Sequence, residues 1–147
     1  MRIGFASDHR GYKLKNELIE YLEEEGYEIE DCGTFSEEST DYPDYAFKLG
    51  ESVVNHDVDF GVAICGSGIG ISIACNKVKG IRCAKVDSIE DVIATRNDND
   101  ANIISFGEKT SFEKAKKLIT TFFNTEASHE EKHIRRRNKI KEYEESN

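Results

Sequence analysis

One cysteine stands directly before a glycine-rich segment, and this pairing is the clearest chemical feature of the chain. Cys65 is followed by residues 66–70, which read Gly-Ser-Gly-Ile-Gly and open a short predicted helix. Glycine lets the backbone N–H groups of such a turn point inward at a helix N-terminus, where they can hold an anion. The sequence therefore predicts a site for a phosphate or for the oxygen of an enediolate.

Cys65 has two interpretations. It ends a buried strand and faces the positive end of the next helix dipole, which favours the thiolate, so it can act as a nucleophile or a base. Free cysteine is also among the most buried residue types, and Cys32, Cys75 and Cys83 are predicted to fill the core. Position, and not composition, distinguishes Cys65 from the other three.

Further candidates lie outside the glycine-rich segment. Asp8 and His9 follow the first predicted strand, where they can orient a hydroxyl and hold an anion, although an aspartate after a strand also commonly caps a helix. Residues 98–100 (Asp-Asn-Asp) precede the fifth strand and have the composition of a polar turn. Lys109 follows that strand and points either to the ligand edge of the sheet or to solvent.

Spacing argues against nucleotide and signalling sites. The third glycine comes one residue too early for Gly-x-Gly-x-x-Gly, and no P-loop pattern is present. Asp8, Ser88 and Lys109 match the receiver domains of response regulators, but Cys65 stands where those domains have their phospho-acceptor aspartate. A flavodoxin-like flavin site is disfavoured because the segment after strand one is charged.

Hydrophobic patterning predicts five strand–helix units. The predicted strands are 2–6, 27–32, 59–65, 81–86 and 102–106. Helical patterns follow them at 14–22, at 46–54, through residue 76, at 88–97 and at 111–124. The nearly continuous apolar run at 59–65 is typical of a central strand that is buried on both faces.

Alternating strands and helices predict an α/β fold. We expect three αβα layers around a five-stranded parallel sheet, Rossmann-like, with the flavodoxin-like strand order 2-1-3-4-5. Ligands bind such sheets where the strand order reverses, here between strands one and three. The length favours one domain over residues 1–147. Residues 126–147 form a polar helical tail, which is predicted to lie against the body of the domain or, as we expect, against a partner subunit.

The charge balance limits the partners. The 147 residues include 29 acidic and 20 basic side chains, for a formal charge of −9, which disfavours nucleic acid and anionic membranes. Basic residues are nevertheless concentrated between 132 and 141, where no acid occurs, and this strip predicts binding of a small anion. The chain has neither an apolar run of the roughly 20 residues that a membrane span needs nor a signal-peptide core, so we expect a cytoplasmic protein with reduced thiols. The cysteines lack the spacing of a metal site.

Taken together, the motifs resemble the type B ribose-5-phosphate isomerases and the related galactose-6-phosphate isomerase subunits. Order and spacing match along nearly the whole chain. The matching segments are Ser7-Asp8-His9-Arg10-Gly11, Asp41-Tyr42-Pro43, Ile64-Cys65-Gly66-Ser67-Gly68-Ile69-Gly70, Ala74-Cys75-Asn76-Lys77, Gly80-Ile81-Arg82, Asn99-Asp100-Ala101-Asn102 and Phe106-Gly107.

The resemblance implies a cofactor-free aldose–ketose isomerase of carbohydrate metabolism, acting in the pentose phosphate pathway through an enediolate. Cys65 would be the base, the N–H groups of residues 67–70 would hold the enediolate oxygen, and Ser67 would relay a proton. Asp8 would bind a sugar hydroxyl. The residues that the resemblance assigns to substrate are Asp8, His9, Gly66, Ser67, Gly68, Ile69, Gly70, Asn99, Lys109, Lys132, His133 and Arg136.

The same resemblance implies a homodimer or homotetramer whose active site is shared between subunits. The phosphate would be held by His9 together with Lys109, Lys132 and Arg136, with His133 adjacent. No metal, nucleic acid or membrane is expected to take part. The basic strip of the tail would then bind the phosphate of the substrate.

Three residues depart from the pattern of the family that the chain resembles. Asp98 occupies the position of a histidine that opens the furanose ring, and a carboxylate does such acid–base work only if burial raises its pKa. Lys109 and Lys132 stand where arginine is usual, which replaces a bidentate fork by a point charge. Ribose 5-phosphate is the expected substrate. The alternatives are a tetrose 4-phosphate, galactose 6-phosphate or allose 6-phosphate, or a non-catalytic sugar-phosphate-binding subunit.

Overall fold

The computed structural model describes all residues from 1 to 147. Strands and helices alternate along the chain as predicted, and one further helix forms the tail. The elements are β1 (Arg2–Ser7), α1 (Tyr12–Glu24), β2 (Glu28–Asp31), α2 (Tyr42–Val54), β3 (Phe60–Cys65), α3 (Ile69–Cys75), β4 (Cys83–Lys85), α4 (Ile89–Asn99), β5 (Ile103–Gly107), α5 (Phe112–Asn124) and α6 (Glu131–Ser146). None of the helices is long and apolar enough to cross a membrane.

The five strands form one parallel sheet, which confirms the predicted α/β class, but the strand order is β2-β1-β3-β5-β4. The predicted order 2-1-3-4-5 is wrong for the last two strands. Residues 103–106 of β5 are buried, whereas the three residues of β4 are only half-buried. The more apolar strand therefore takes the position beside β3, and the shorter one takes the edge.

Two apolar layers cover the sheet. Side chains of α1, α4 and α5 pack on one face with Phe5, Ile64 and Phe106 of the strands. Side chains of α2 and α3 pack on the other face with Ala63 and Cys65. The order still reverses between β1 and β3, so the carboxyl ends of these two strands lie side by side, as predicted.

The segment predicted as a polar turn at 98–100 is largely helical. Helix α4 continues to Asn99, and Asp100 ends it in the left-handed conformation with φ of 48°. Arg96 donates to the Asp100 carboxylate at 2.7 Å and Thr95 donates to the side chain of Asn99 at 3.1 Å. These contacts one turn apart extend the helix beyond the end that composition suggests.

Helix α6 lies against the edge of the domain and has no buried residue. The Glu144 carboxylate accepts the backbone N–H of Gly80 at 3.2 Å, and Arg137 donates to the carbonyl of Asp98 at 3.3 Å. Its large apolar side chains Ile140 and Tyr143 are exposed. The tail is therefore attached to its own chain mainly by polar contacts.

Candidate functional site

Cys65 lies at the carboxyl end of β3, where its side chain is almost fully enclosed. Only 4% of the residue is exposed, and Sγ accepts the backbone N–H of Gly68 at 3.2 Å. The Ser105 hydroxyl donates to the carbonyl of Gly68 at 2.8 Å and so anchors the same turn from β5. The thiol is thus held in one place at the mouth of the crevice.

The turn depends on glycine at position 68. Gly68 has φ of +81°, and a Cβ there would lie 2.6 Å from the carbonyl carbon of Phe106. Any side chain would meet both the strain of the left-handed region and the backbone of β5. This close approach fixes the glycine loop (residues 66–70) against the sheet.

Of the four backbone N–H groups of residues 67–70 that are predicted to hold an oxyanion, two already donate to acceptors within the chain. The N–H of Gly68 is used by the Cys65 sulfur, and the N–H of Ile69 is used by the Ser67 hydroxyl at 3.1 Å. No acceptor within the chain takes the N–H groups of Ser67 and Gly70. These two donors can therefore bind an oxyanion beside the thiol.

Asp8 is buried and orders the loop that leads into α1. Its Oδ1 accepts the N–H groups of Arg10 at 3.0 Å and Gly11 at 3.1 Å. Helix α1 begins at Tyr12 with Gly11 as its N-cap residue and has no side-chain cap, so Asp8 orders the preceding loop and does not cap the helix. No group of the chain donates to its Oδ2. One carboxylate oxygen is therefore committed to the β1–α1 loop (residues 8–11), and the other remains for a ligand hydroxyl.

His9 is oriented by the segment that precedes α2. The backbone N–H of Thr40 donates to His9 Nδ1 at 3.2 Å, so the neutral ring carries its proton on Nε2. Thr40 is held in turn by its hydroxyl, which lies 3.1 Å from the Tyr45 hydroxyl. The Thr34 and Thr40 hydrogen bonds lower the pKa of Tyr45. His9 can thus present an N–H donor from the edge next to Cys65.

Lys109 follows β5 at the same edge, as predicted. It lines a cavity of about 350 Å³ together with Arg10, Lys13 and Glu108. Sequence reasoning gave no separate role to Arg10 or to Tyr42, although both lie in the recognised motifs. Arg10 lies on Gly66, and the ring of Tyr42 lies on Gly70. The only sequence signal for either contact is their adjacency to motif residues.

A second set of predicted site residues lies elsewhere in the chain. This set, called the tail group, consists of Asp98, Asn99, Lys132, His133 and Arg136. Helix α4 runs antiparallel to the strands and spans about 16 Å, so its last turn lies at the amino edge of the sheet and not at the carboxyl edge. One chain does not bring the tail group to Cys65.

The tail group is itself organised. His133 Nε2 lies 3.5 Å from Asp98 Oδ1, and its Nδ1 lies 2.9 Å from the Ser128 hydroxyl. Lys132 and Arg136 are exposed on α6. The Asp98 side chain is half-exposed, so the burial that an acid role would need is not present within one chain. The His133 side chain is only 12% accessible, so the exposed part of the group consists of Asp98, Asn99 and the two cations Lys132 and Arg136.

The remaining cysteines are less available. Cys32 and Cys75 are buried, which confirms their prediction as core residues, while Cys83 is half-buried. Burial raises the pKa of Cys32 to about 12, and the hydrogen bond with Cys83 together with burial raises that of Cys75. These two thiols are protonated at neutral pH.

Comparison with known proteins gives consistent matches along the chain. A family model described as Ribose/Galactose Isomerase matches residues 3–140. Ribose-5-phosphate isomerase B of Escherichia coli is 40% identical over 126 residues, which cover 85% of each chain. Ribose-5-phosphate isomerase B of Clostridium thermocellum superposes with a TM-score of 0.94 at 42% identity, covering 99% of both chains. The Mycoplasma genitalium enzyme of the same name, solved with bound ribulose 5-phosphate, gives 0.91 at 33% identity over 99% of this chain and 97% of that one.

Proposed function

Because the chain belongs to the ribose/galactose isomerase family, whose members include sugar phosphate isomerases, we propose that it interconverts ribose 5-phosphate and ribulose 5-phosphate. The observation that carries the proposal is the Cys65 thiol beside the free N–H groups of Ser67 and Gly70. A base next to two oxyanion donors suits the removal of a proton from the carbon beside a carbonyl.

In the proposed reaction the Cys65 thiolate takes the proton from C2 of the open-chain aldose. The electron pair of that C–H bond forms the C1–C2 double bond, and the carbonyl oxygen O1 becomes the enediolate oxygen. The N–H groups of Ser67 and Gly70 hold this oxygen, an interaction whose loss typically costs about 10²- to 10³-fold in rate. The hydroxyl of Ser67 relays a proton from O2 to O1, and the thiol then returns its proton to C1. No electrons enter or leave in these steps, so the proposed reaction needs no redox cofactor.

The residues around the thiol bind the rest of the substrate. Oδ2 of Asp8, which has no donor within the chain, accepts a sugar hydroxyl. His9 presents its Nε2–H to the phosphate, and the Lys109 ammonium adds a positive charge at the same edge. These roles use the free atoms of groups that the fold has already oriented.

We place the tail group of a second copy opposite this half-site. Its residues Lys132 and Arg136 are exposed cations, and they lie too far from Cys65 to serve it within one chain. Ile69 and Ile73, one turn apart on α3 beside the glycine loop, are 54% and 58% exposed. An exposed apolar patch beside an incomplete site supports a homodimer or homotetramer in which each site is shared between two subunits.

A different sugar is the second candidate, and Asp98 favours it. A substrate that arrives already open, such as a tetrose 4-phosphate, needs no ring-opening acid, and the half-exposed Asp98 carboxylate is a weak one. Turnover of galactose 6-phosphate and of allose 6-phosphate should be measured in the same comparison with ribose 5-phosphate. Turnover of a tetrose phosphate well above that of ribose 5-phosphate would favour this candidate.

The test is isomerisation of ribose 5-phosphate by the purified protein, followed as ketose formation. Cys65→Ala should remove turnover. Cys32→Ala is the matched control, because Cys32 is also buried but directly follows β2 and has a raised pKa. Equal rates for the wild type and Cys65→Ala would overturn the proposal.

A further inference from the structure

An ion pair connects the three loops at the carboxyl edge of the sheet. Arg10, in the β1–α1 loop, donates through Nε to Glu108 Oε2 at 3.0 Å and through Nη2 to Oε1 at 3.3 Å. Glu108 directly follows β5, and the pair spans the glycine loop that lies between the two. This side-on geometry uses both carboxylate oxygens and fixes the plane of the guanidinium.

The pair encloses the peptide that follows Cys65. The backbone N–H of Glu108 donates to the carbonyl of Cys65 at 2.9 Å and to that of Gly66 at 3.3 Å. On the other side the Arg10 guanidinium lies against Gly66, so closely that a Cβ there would collide with Nη1. Arg10 and Glu108 thus hold the start of the glycine loop from two directions.

The contact is electrostatic as well as steric. Glu108 raises the pKa of Arg10, first through their hydrogen bond and then through charge attraction. Arg10 is nevertheless half-exposed, with 54% of its side chain accessible, so the pair contributes little to overall stability.

We propose that the Arg10–Glu108 pair is a positioning device, which fixes the Cys65–Gly66 peptide and thereby the free N–H of Ser67. What that N–H binds rests on the function proposed above. The fixed geometry itself rests only on the contacts of the loop. Neither residue touches the reacting atoms, and each acts through the backbone between Cys65 and Ser67.

Kinetics of a double-mutant cycle test the device. Arg10→Met and Glu108→Gln should each lower kcat about tenfold while KM changes less than twofold, because a slightly misplaced donor costs transition-state binding. The double variant should be no slower than either single one, since the two residues act as a unit. Arg10→Lys keeps the charge but loses the fork, so it should recover only a small part of the rate.

Arg2→Met is the matched control. Arg2 has 55% of its side chain accessible and pairs with Glu28 at 3.3 Å, but at the opposite end of β1. It should leave kcat unchanged. Additive losses, or a raised KM and weaker competitive inhibition by inorganic phosphate in Arg10→Met alone, would show direct substrate binding and overturn the proposal. Unchanged kcat in both single variants would overturn it as well.

Amide hydrogen exchange tests the device without turnover. The N–H of Glu108 bonds to the Cys65 carbonyl and the N–H of Gly68 bonds to its sulfur, so both amides should exchange about tenfold faster in Arg10→Met and in Glu108→Gln. Unchanged exchange at both amides would refute the device even in an active enzyme. If the wild type turned over no sugar phosphate, the proposed function would fail. Amide exchange would still show whether the Arg10–Glu108 pair fixes the glycine loop.

Discussion

At the scale of single residues, the site depends on which polar atoms the fold leaves free. Cys65, Asp8 and His9 each make one internal hydrogen bond or set of bonds that fixes their orientation. Asp8 Oδ2 and His9 Nε2 make no hydrogen bond within the chain, so these two atoms are available to bind a ligand. The sulfur of Cys65 accepts a single hydrogen bond, from the N–H of Gly68.

Asp98 carries the most specific prediction about substrate choice. Asp98→His should raise turnover of ribose 5-phosphate about tenfold or more, because a histidine titrates near neutral pH and can open the furanose ring as a general acid. Turnover of a tetrose phosphate should not change. The measurement is the initial rate on both sugars.

Asp98→Asn serves as the control, because it removes the charge without adding a titrating ring. An unchanged pentose rate in Asp98→His would mean that ring opening is not limited by this position.

The sequence predicted the position of several residues at the carboxyl edge of the sheet because these residues directly follow strands. Asp8, His9 and the glycine loop each follow a strand directly, so the periodicity of the strands places them. Arg10 was not given a role, since its contacts with Gly66 and Glu108 join segments that are 56 and 98 residues away. No local pattern encodes such a pairing.

At the scale of elements, the glycine loop illustrates how backbone conformation limits the sequence. Gly68→Ala should lower the free energy of unfolding by about 3 kcal/mol or more, because left-handed strain adds to a clash with the Phe106 backbone. Gly26→Ala should cost only about 1 kcal/mol, since Gly26 has φ of +96° but open space around it.

Urea denaturation of both variants measures the difference. Equal losses would show that the approach to Phe106 relaxes without cost, and that the glycine at 68 is required only for its φ.

The Lys15–Asp31 ion pair connects α1 to the end of β2, and its two side chains differ in burial. The Lys15 side chain is fully buried, with Nζ 2.6 Å from Asp31 Oδ1, whereas 30% of the Asp31 side chain is accessible. Asp31→Asn leaves an unpaired buried ammonium and should cost about 3 kcal/mol. Lys15→Met leaves a carboxylate that water can reach and should cost no more than about 1 kcal/mol.

The free energy of unfolding at neutral pH checks this order. A larger loss in Lys15→Met than in Asp31→Asn would contradict the account, because burial would then not decide the cost.

Element positions were less predictable than element types. The end of α4 was missed because the pairs Arg96–Asp100 and Thr95–Asn99 stabilise a last turn that its polar composition disfavours. The order of the outer strands was missed because β4 and β5 are both short, and their relative burial depends on helices from both faces. Periodicity identifies a strand but not its neighbour.

At the scale of the whole molecule, the two groups of predicted site residues lie at opposite edges of one sheet. A shared site predicts complementation between two inactive variants. Cys65→Ala and Arg136→Met should each be weakly active or inactive alone. Refolded together in equal amounts, they should recover about a quarter of wild-type activity, because half of random dimers are mixed and each mixed dimer has one intact site.

The control is the pair Cys65→Ala and Ser67→Ala, whose positions lie in the same half-site. This mixture should recover no activity, since each half-site retains one defect. Recovery in neither mixture would place the tail group outside the active site.

The most direct test of the central claim, an enediolate formed by Cys65, is isomerisation of ribose 5-phosphate in deuterium oxide, followed by NMR. We expect the proton on the Cys65 sulfur to exchange with solvent before it is returned to carbon. The wild-type protein should therefore introduce deuterium at C1 of the ketose and at C2 of the recovered aldose, and Cys65→Ala should introduce none. Complete retention of the original C2 hydrogen during turnover, or deuterium uptake by Cys65→Ala at the wild-type rate, would contradict the account.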